Sequence, residues 1–186
     1  MTGYAITGSF CTHSSSIAQL KILAENKIDI IPIISENAYN TDTRFGKAKD
    51  FVEIIEDICK RKVVHTICEA EKFGPSVPLD AMIIAPCTGN TLAKIAHGIT
   101  DTAVCMAAKA HMRQSRPLLI ALASNDALSA NLSNISYMLS KKNVFFVPMC
   151  QDDPLSKPHS LVADFDKLIP AYESMLVRTQ LRPIFI

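Results

Sequence analysis

The feature that most restricts the fold is a regular alternation of short, wholly apolar runs with longer amphipathic segments. The runs are GYAIT (3–7), DIIPIIS (29–35), DAMIIAP (80–86), RPLLIALA (116–123) and VFFVPM (144–149). Between them lie IAQLKILAEN, FVEIIEDICKRK, LAKIAHGI and ISYMLSKKN, in which apolar residues recur at helical spacing. A strand with one wet face alternates apolar and polar residues, whereas a strand that is apolar throughout is buried on both faces. Helices covering a parallel sheet bury strands in this way. The pattern therefore predicts an α/β fold: a doubly wound, Rossmann-like or flavodoxin-like parallel sheet with helices on both faces. With 186 residues, 48% of them hydrophobic, the chain is sized for one core, so residues 1–186 read as a single domain. A last helix is expected around LIPAYESMLVRT, and the apolar end QLRPIFI is expected to dock on its own core or on a neighbouring subunit.

Charge and cysteine usage exclude several classes of function. Nineteen Lys and Arg face 18 Asp and Glu, and no block of five or six like charges occurs. This argues against a nucleic-acid footprint and against a polybasic membrane anchor. The apolar runs are far shorter than the ~18 to 20 residues that span a bilayer. MTGYAITGSF lacks the basic start of a signal peptide, so a cytoplasmic protein is expected. Cys11, Cys59, Cys68, Cys87, Cys105 and Cys150 stand singly, with no CxxC, and read as reduced thiols rather than a disulfide or zinc framework. The expected partner is a small molecule.

Open parallel sheets bind ligands beyond the carboxyl ends of their strands. The segments that follow the apolar runs are TGSFCTHSS, SENAYNTDTRFG, APCTGNT, ASNDALSANLSN and PMCQDDPLSKPHS, all rich in Ser, Thr, Asn or Asp. In the first, Gly8 and Ser9 lead into a helix, where free backbone N–H groups and hydroxyls suit an anion, or equally an ordinary helix cap. The loop has one glycine and lacks the GxGxxG spacing of a dinucleotide site. Arg44, in the second, has the fork geometry that suits a carboxylate or phosphate. In the third, Pro86 is expected to halt the strand. Thr88 or Asn90 would cap a helix starting at Leu92, with Lys94 in solvent. Cys87 has no base paired with it and reads as a packing residue.

The stretch APCTGNTLAKIAHGITD (85–101) resembles the signature of the flavoprotein family that includes the cysteine decarboxylases of lantibiotic and coenzyme A biosynthesis. There a Pro-Ala-Ser-Ala-Asn-Thr type loop leads into a LAKIA-GI-D helix. TGSFCT, NTDTRFG, SNDALSAN and PMCQDDPLSKP extend the resemblance, over nearly the whole chain, to the dipicolinate synthase B branch of that family. The resemblance implies an FMN site on Gly8, Ser9, Ser35, Pro86, Cys87, Thr88, Asn90 and Thr91, with the phosphate near Ser9 and Ser35. It implies a small cyclic dicarboxylate as substrate, paired by Arg44 and Lys157 and oriented by Asn90, Asn125 and Asn131. Asn90 and Asp126 become the catalytic candidates, Asp126 as proton acceptor or simply as a helix cap. The implied reaction oxidises a dihydrodipicolinate-type precursor to dipicolinate in the mother cell of a spore-forming bacterium. A dipicolinate synthase A subunit would be the partner, with NADPH entering through it, and the chain would form trimers or multiples of trimers without a metal. One departure stands out: ASNDALSANLSN occupies the place of the decarboxylases' Pro-x-Met-Asn substrate loop, and His65 reads as a packed or surface residue rather than a base. Decarboxylation of a peptidyl cysteine and a non-catalytic support role are the alternative readings.

Overall fold

The structure, a computed structural model, describes residues 1–74 and 76–186. In chain order the elements are β1 (Thr2–Ile6), α1 (His13–Glu25), β2 (Ile30–Ile34), α2 (Glu36–Asn40), α3 (Ala48–Cys59), α4 (Ile67–Ala70), β3 (Ala81–Thr88) and α5 (Gly89–Ala96). They continue with α6 (Ala103–Met112), β4 (Leu118–Ser124), α7 (Leu132–Leu139), β5 (Val144–Phe146), β6 (Met149–Cys150), β7 (Leu161–Ala163) and α8 (Leu168–Leu176). Strands β2, β1, β3 and β4 lie side by side in that order and all run parallel, with Ala5 between Ile33 and Ile84. Strand β5 continues the parallel pairing along the first half of β4.

The apolar runs divide their side chains between two cores, as strands buried on both faces must. Ala5, Ile33, Met82, Ile84, Ile120 and Leu122 face one way, against Leu92 and Ile95 of α5, the alanines of α6, and Ile135 and Met138 of α7. Tyr4, Ile6, Ile34, Ile83, Leu119 and Ala121 face the other way, against Leu20 and Leu23 of α1, Ile55 of α3, and Leu168 and Met175 of α8. The doubly wound α/β fold stands as expected.

Three details depart from the expectations. The sheet is not wholly parallel: β7 runs antiparallel to the last residues of β4, and β6 antiparallel to β7. Helix α6 was not anticipated, because AVCMAAKAHM is buried nearly all round and shows no polar stripe to give it away. Pro86 does not halt its strand. Strand β3 runs on to Thr88 through a cis Ala85–Pro86 bond and a register shift between Ile84 and Cys87. The C-terminal segment takes one of its two expected places and docks on its own chain, with Met149 N–H donating to Ile184 O (2.8 Å) and Ile186 N–H to Met149 O (3.1 Å). Just before it, the Gln180 amide brackets Phe146, accepting from its N–H (2.8 Å) and donating to its carbonyl (2.7 Å).

Candidate functional site

The strand order reverses between β1 and β3, the topological switch point at which loops part and a crevice opens. Thr7 ties the two lips together. Its N–H and its hydroxyl both donate to Pro86 O (3.2 and 2.8 Å), and its Oγ1 accepts from Thr88 N–H (3.0 Å). Beneath, His13 Nε2 lies 2.8 Å from Thr7 O, and its ring stacks on Phe51 at 4.3 Å. Burial pushes the His13 pKa below the ordinary histidine value, so the ring is neutral and Nε2–H donates to that carbonyl.

Two cavities flank the loop that joins β3 to α5. The smaller, about 320 Å³, is bounded by Thr7, Ser35, Glu36, Thr91, Lys94 and Asp101. The larger, about 770 Å³, is bounded by Ser9, Arg44, Phe45, Asn125, Asp126 and Lys157. Gly8, Phe10, Thr88 and Asn90 line both, so one extended ligand can touch the two. All five polar strand-end segments meet here, as the parallel-sheet rule requires.

Not every predicted site residue reaches this space. Pro86 and Cys87 lie within β3. Cys87 is fully buried in the core, and burial pushes its thiol well above the usual range, which suits packing and not nucleophilic chemistry. Thr88 is the N-cap: its Oγ1 accepts from Thr91 N–H (3.2 Å) and donates to Thr91 Oγ1 (3.0 Å), so the helix starts at Gly89 rather than Leu92. Ser35 caps α2 by accepting from Ala38 N–H at 3.4 Å. Thr12 Oγ1 donates to Ser9 O (2.9 Å) and lies 3.2 Å from Ser9 Oγ, which also sits 3.9 Å from Cys11 Sγ on the wall of the larger cavity. Lys94 is not in solvent but pairs with Asp101 at 2.9 Å on the wall of the smaller cavity. His65 stacks on Tyr39 at 4.0 Å, outside both cavities.

The segment after β4 builds a carboxylate cluster. Asp126 accepts from the Ser124 hydroxyl and, through both oxygens at 3.0 Å, from Asn131 Nδ2. Asn131 is buried and in turn accepts from Asn134 Nδ2 at 2.9 Å. Asp126 is thus not a side-chain cap, and Asn131 holds Asp126 from behind rather than lining the cavity. Lys157 pairs with Asp152 at 2.8 Å and holds the Asp152 carboxyl below the usual carboxylate range. Arg44 makes no ion pair among the described residues, and its guanidinium lies 4.8 Å from the Phe45 ring. The larger cavity therefore balances two cations against two carboxylates, with Arg44 the cation left free.

Sequence reasoning missed Glu36. Its Oε1 accepts from Ala103 N–H (3.0 Å), while Oε2 is buried without a partner on the wall of the smaller cavity. The only signal was an acidic residue directly after a strand end, which reads equally well as a favourable first-turn carboxylate.

The sequence pattern of the Flavoprotein family matches residues 2–169. The chain belongs to the flavoprotein family. Within that family it is a homologue of the dipicolinate synthase B subunit: the protein of that name from Bacillus subtilis (strain 168) is 41% identical over 184 residues, covering 99% of this chain and 92% of the relative. The crystal structure of the dipicolinate synthase B subunit from Bacillus halodurans C superposes with a TM-score of 0.91 at 38% identity, over 100% of this chain and 95% of that one. The FMN-dependent cysteine decarboxylase SpaF has a TM-score of 0.71 at 20% identity over 95% of each chain, a likeness of fold alone. Among the described residues of this flavoprotein, no helix is long and apolar enough to cross a membrane.

Proposed function

We propose that the chain is the B subunit of a dipicolinate synthase, an FMN-type flavoprotein that helps oxidise a dihydrodipicolinate-type precursor to pyridine-2,6-dicarboxylate. The near-complete match to the B subunit of that enzyme carries the reading. On this reading the protein works in the cytoplasm of a sporulating mother cell, assembled as a trimer or a multiple of trimers and acting with an A subunit that brings NADPH.

The residues present suit FMN. Glu36 Oε2 is a buried acceptor that lacks a donor, a deficit that a polyol hydroxyl removes. Ser9 sets its hydroxyl on the larger cavity at the start of the first loop, where an anionic group is also met by backbone N–H groups. Gly8, Ser9, Ser35, Thr88, Asn90 and Thr91 would hold the group across the two cavities. A bound flavin supplies a two-electron acceptor beside the substrate.

The remaining work falls to the larger cavity. Arg44, free of any internal carboxylate, anchors one carboxylate of the substrate, while Lys157 engages the second by giving up Asp152. Asn90 and Asn125 orient the ring from opposite lips. Aromatisation releases a proton, and Asp126 is the carboxylate fixed by its neighbours to accept it. Phe10 and Phe45 narrow the space available to water.

The first test is the visible absorption spectrum of purified, FMN-supplemented and desalted protein, for which a retained flavin band is expected. A colourless protein overturns the cofactor assignment. Full synthase activity of the A subunit alone would instead favour the support role. Arg44→Ala should raise the apparent substrate KM about tenfold or more while leaving flavin retention intact; equal effects on both remove Arg44 from the substrate side.

A further inference from the structure

Asn131 stands at the N-cap of α7, a position where an asparagine side-chain oxygen ordinarily accepts a first-turn backbone N–H. Here its side chain makes no capping bond. Its Oδ1 accepts instead from the side-chain amide of Asn134, in the first turn of the same helix, at 2.9 Å. Its Nδ2 is aimed the other way and lies 3.0 Å from each oxygen of Asp126, on the wall of the larger cavity. The sequence thus forgoes an ordinary cap for a directed chain, from Asn134 through Asn131 to the cavity carboxylate. Asp126 Oδ1 accepts from Ser124 as well, so Oδ2, bonded to Asn131 alone, is the oxygen with room for a proton.

Asn131 and Asn134 are both buried, at 5% and 8% exposure, and Gly89 closes the cluster so tightly that a Cβ there would lie 2.6 Å from Asn131 Nδ2. The two ends of an amide are nearly equal in size, so packing does not choose between its two orientations. Hydrogen-bond partners do. An ionised Asp126 only accepts and therefore draws the Asn131 NH2 group. A protonated Asp126 donates, and Asn131 could then turn its oxygen to that proton without any change of shape, holding it in place. Asn134 opposes the turn, because two buried NH2 groups would then face each other, donor against donor. Only a joint turn of both amides avoids that clash. Asn131 thus remains a donor in either state of Asp126, which favours the return of the proton and restores the carboxylate.

We infer that Asn134 is the positioning residue for Asp126: it fixes Asn131 as a donor to that carboxylate before and after the proton is taken. The inference rests on the proton-acceptor role given to Asp126 above, and two readouts separate the two. The first is synthase turnover by the full chain with the A subunit of the same organism. Asn134→Asp, close in shape but only an acceptor when ionised, should turn the Asn131 amide round and lower kcat at least about tenfold, with KM changed less than about threefold. Asn134→Ala, which adds no charge and covers a failure of the aspartate variant to fold, should lower kcat at least about threefold. In an Asn131→Ala background the same alanine substitution should cost almost nothing more, because Asn134 acts through Asn131. Losses that simply multiply would mark a general structural role and overturn the proposal. The second readout needs no activity: the side-chain amide signals of Asn131 in a nitrogen-15 spectrum, assigned by their loss in Asn131→Ala, should shift in Asn134→Asp and Asn134→Ala. Unchanged signals overturn the proposal whatever the turnover, and shifted signals with unchanged kcat remove Asn134 from the chemistry. A wild-type pair without synthase activity overturns the functional reading and the part of Asn134 in turnover, while the spectra still decide the orientation of Asn131.

Discussion

Gly89 sets how closely the crevice can be assembled. The family loop carries alanine at this place, yet a Cβ here would come within 2.6 Å of Asn131 Nδ2 and 2.8 Å of Asp126 Oδ1, and would press on the Ser124 hydroxyl. Those three groups are bonded to one another and cannot swing aside independently. Gly89→Ala should therefore destabilise the protein by about 1 to 3 kcal/mol, the range for overpacking a filled site. A lowered urea midpoint checks this, and an unchanged midpoint would show that the Asp126 cluster yields. A second residue-scale consequence concerns His13 and His111. Burial, first among the causes, holds both pKa values below that of an ordinary histidine. In the unfolded chain each titrates near 6.5, so as pH falls below that value the unfolded state takes up protons that the folded state refuses. Stability is full above about pH 7 and declines as pH drops towards the folded values. Urea midpoints at pH 7.5 and 5.5 should differ in that direction, and equal midpoints would contradict it.

At the scale of elements, the crevice depends on how β1 is fastened to β3. Thr7→Val keeps the shape but removes the hydroxyl that bonds Pro86 O and Thr88 N, leaving Thr88 N–H without a partner and Pro86 O with the Thr7 N–H alone. It should cost about 1 to 3 kcal/mol and loosen flavin retention in the desalted spectrum; a stable variant with full retention would mean that the lips hold without it. The central strands were legible in advance because runs such as AMII and LLIALA have no polar position and admit only double burial. Helix α6 was hidden by the same property, since a segment that is apolar all round has no period to read. The β6–β7 hairpin was hidden by brevity, with two and three residues in its strands. Among the site residues, Arg44, Asn90, Asn125 and Lys157 meet at the crevice because loop membership alone decides it. Pro86, Cys87 and Asn131 do not reach it, because side-chain direction depends on a register shift and a buried amide network that no linear pattern records.

For the whole molecule, the doubly wound plan assigns ends: the carboxyl ends of the strands open into the crevice and its polar loops. The plan also leaves one side of the sheet in need of closure. There the chain from Gln180 onward saturates backbone groups of Phe146 and Met149 that would otherwise face solvent. Such groups on an uncovered strand recruit the same groups of another molecule. The last seven residues thus act as a stopper against intermolecular strand addition. Removal of residues 180–186 should leave the crevice formed and flavin retained, yet convert a soluble preparation into one whose light scattering grows with concentration and time. A truncated protein that stays monodisperse would deny the tail this role. Aggregation on truncation would make this short segment the determinant of the protein's colloidal lifetime, independently of its chemistry.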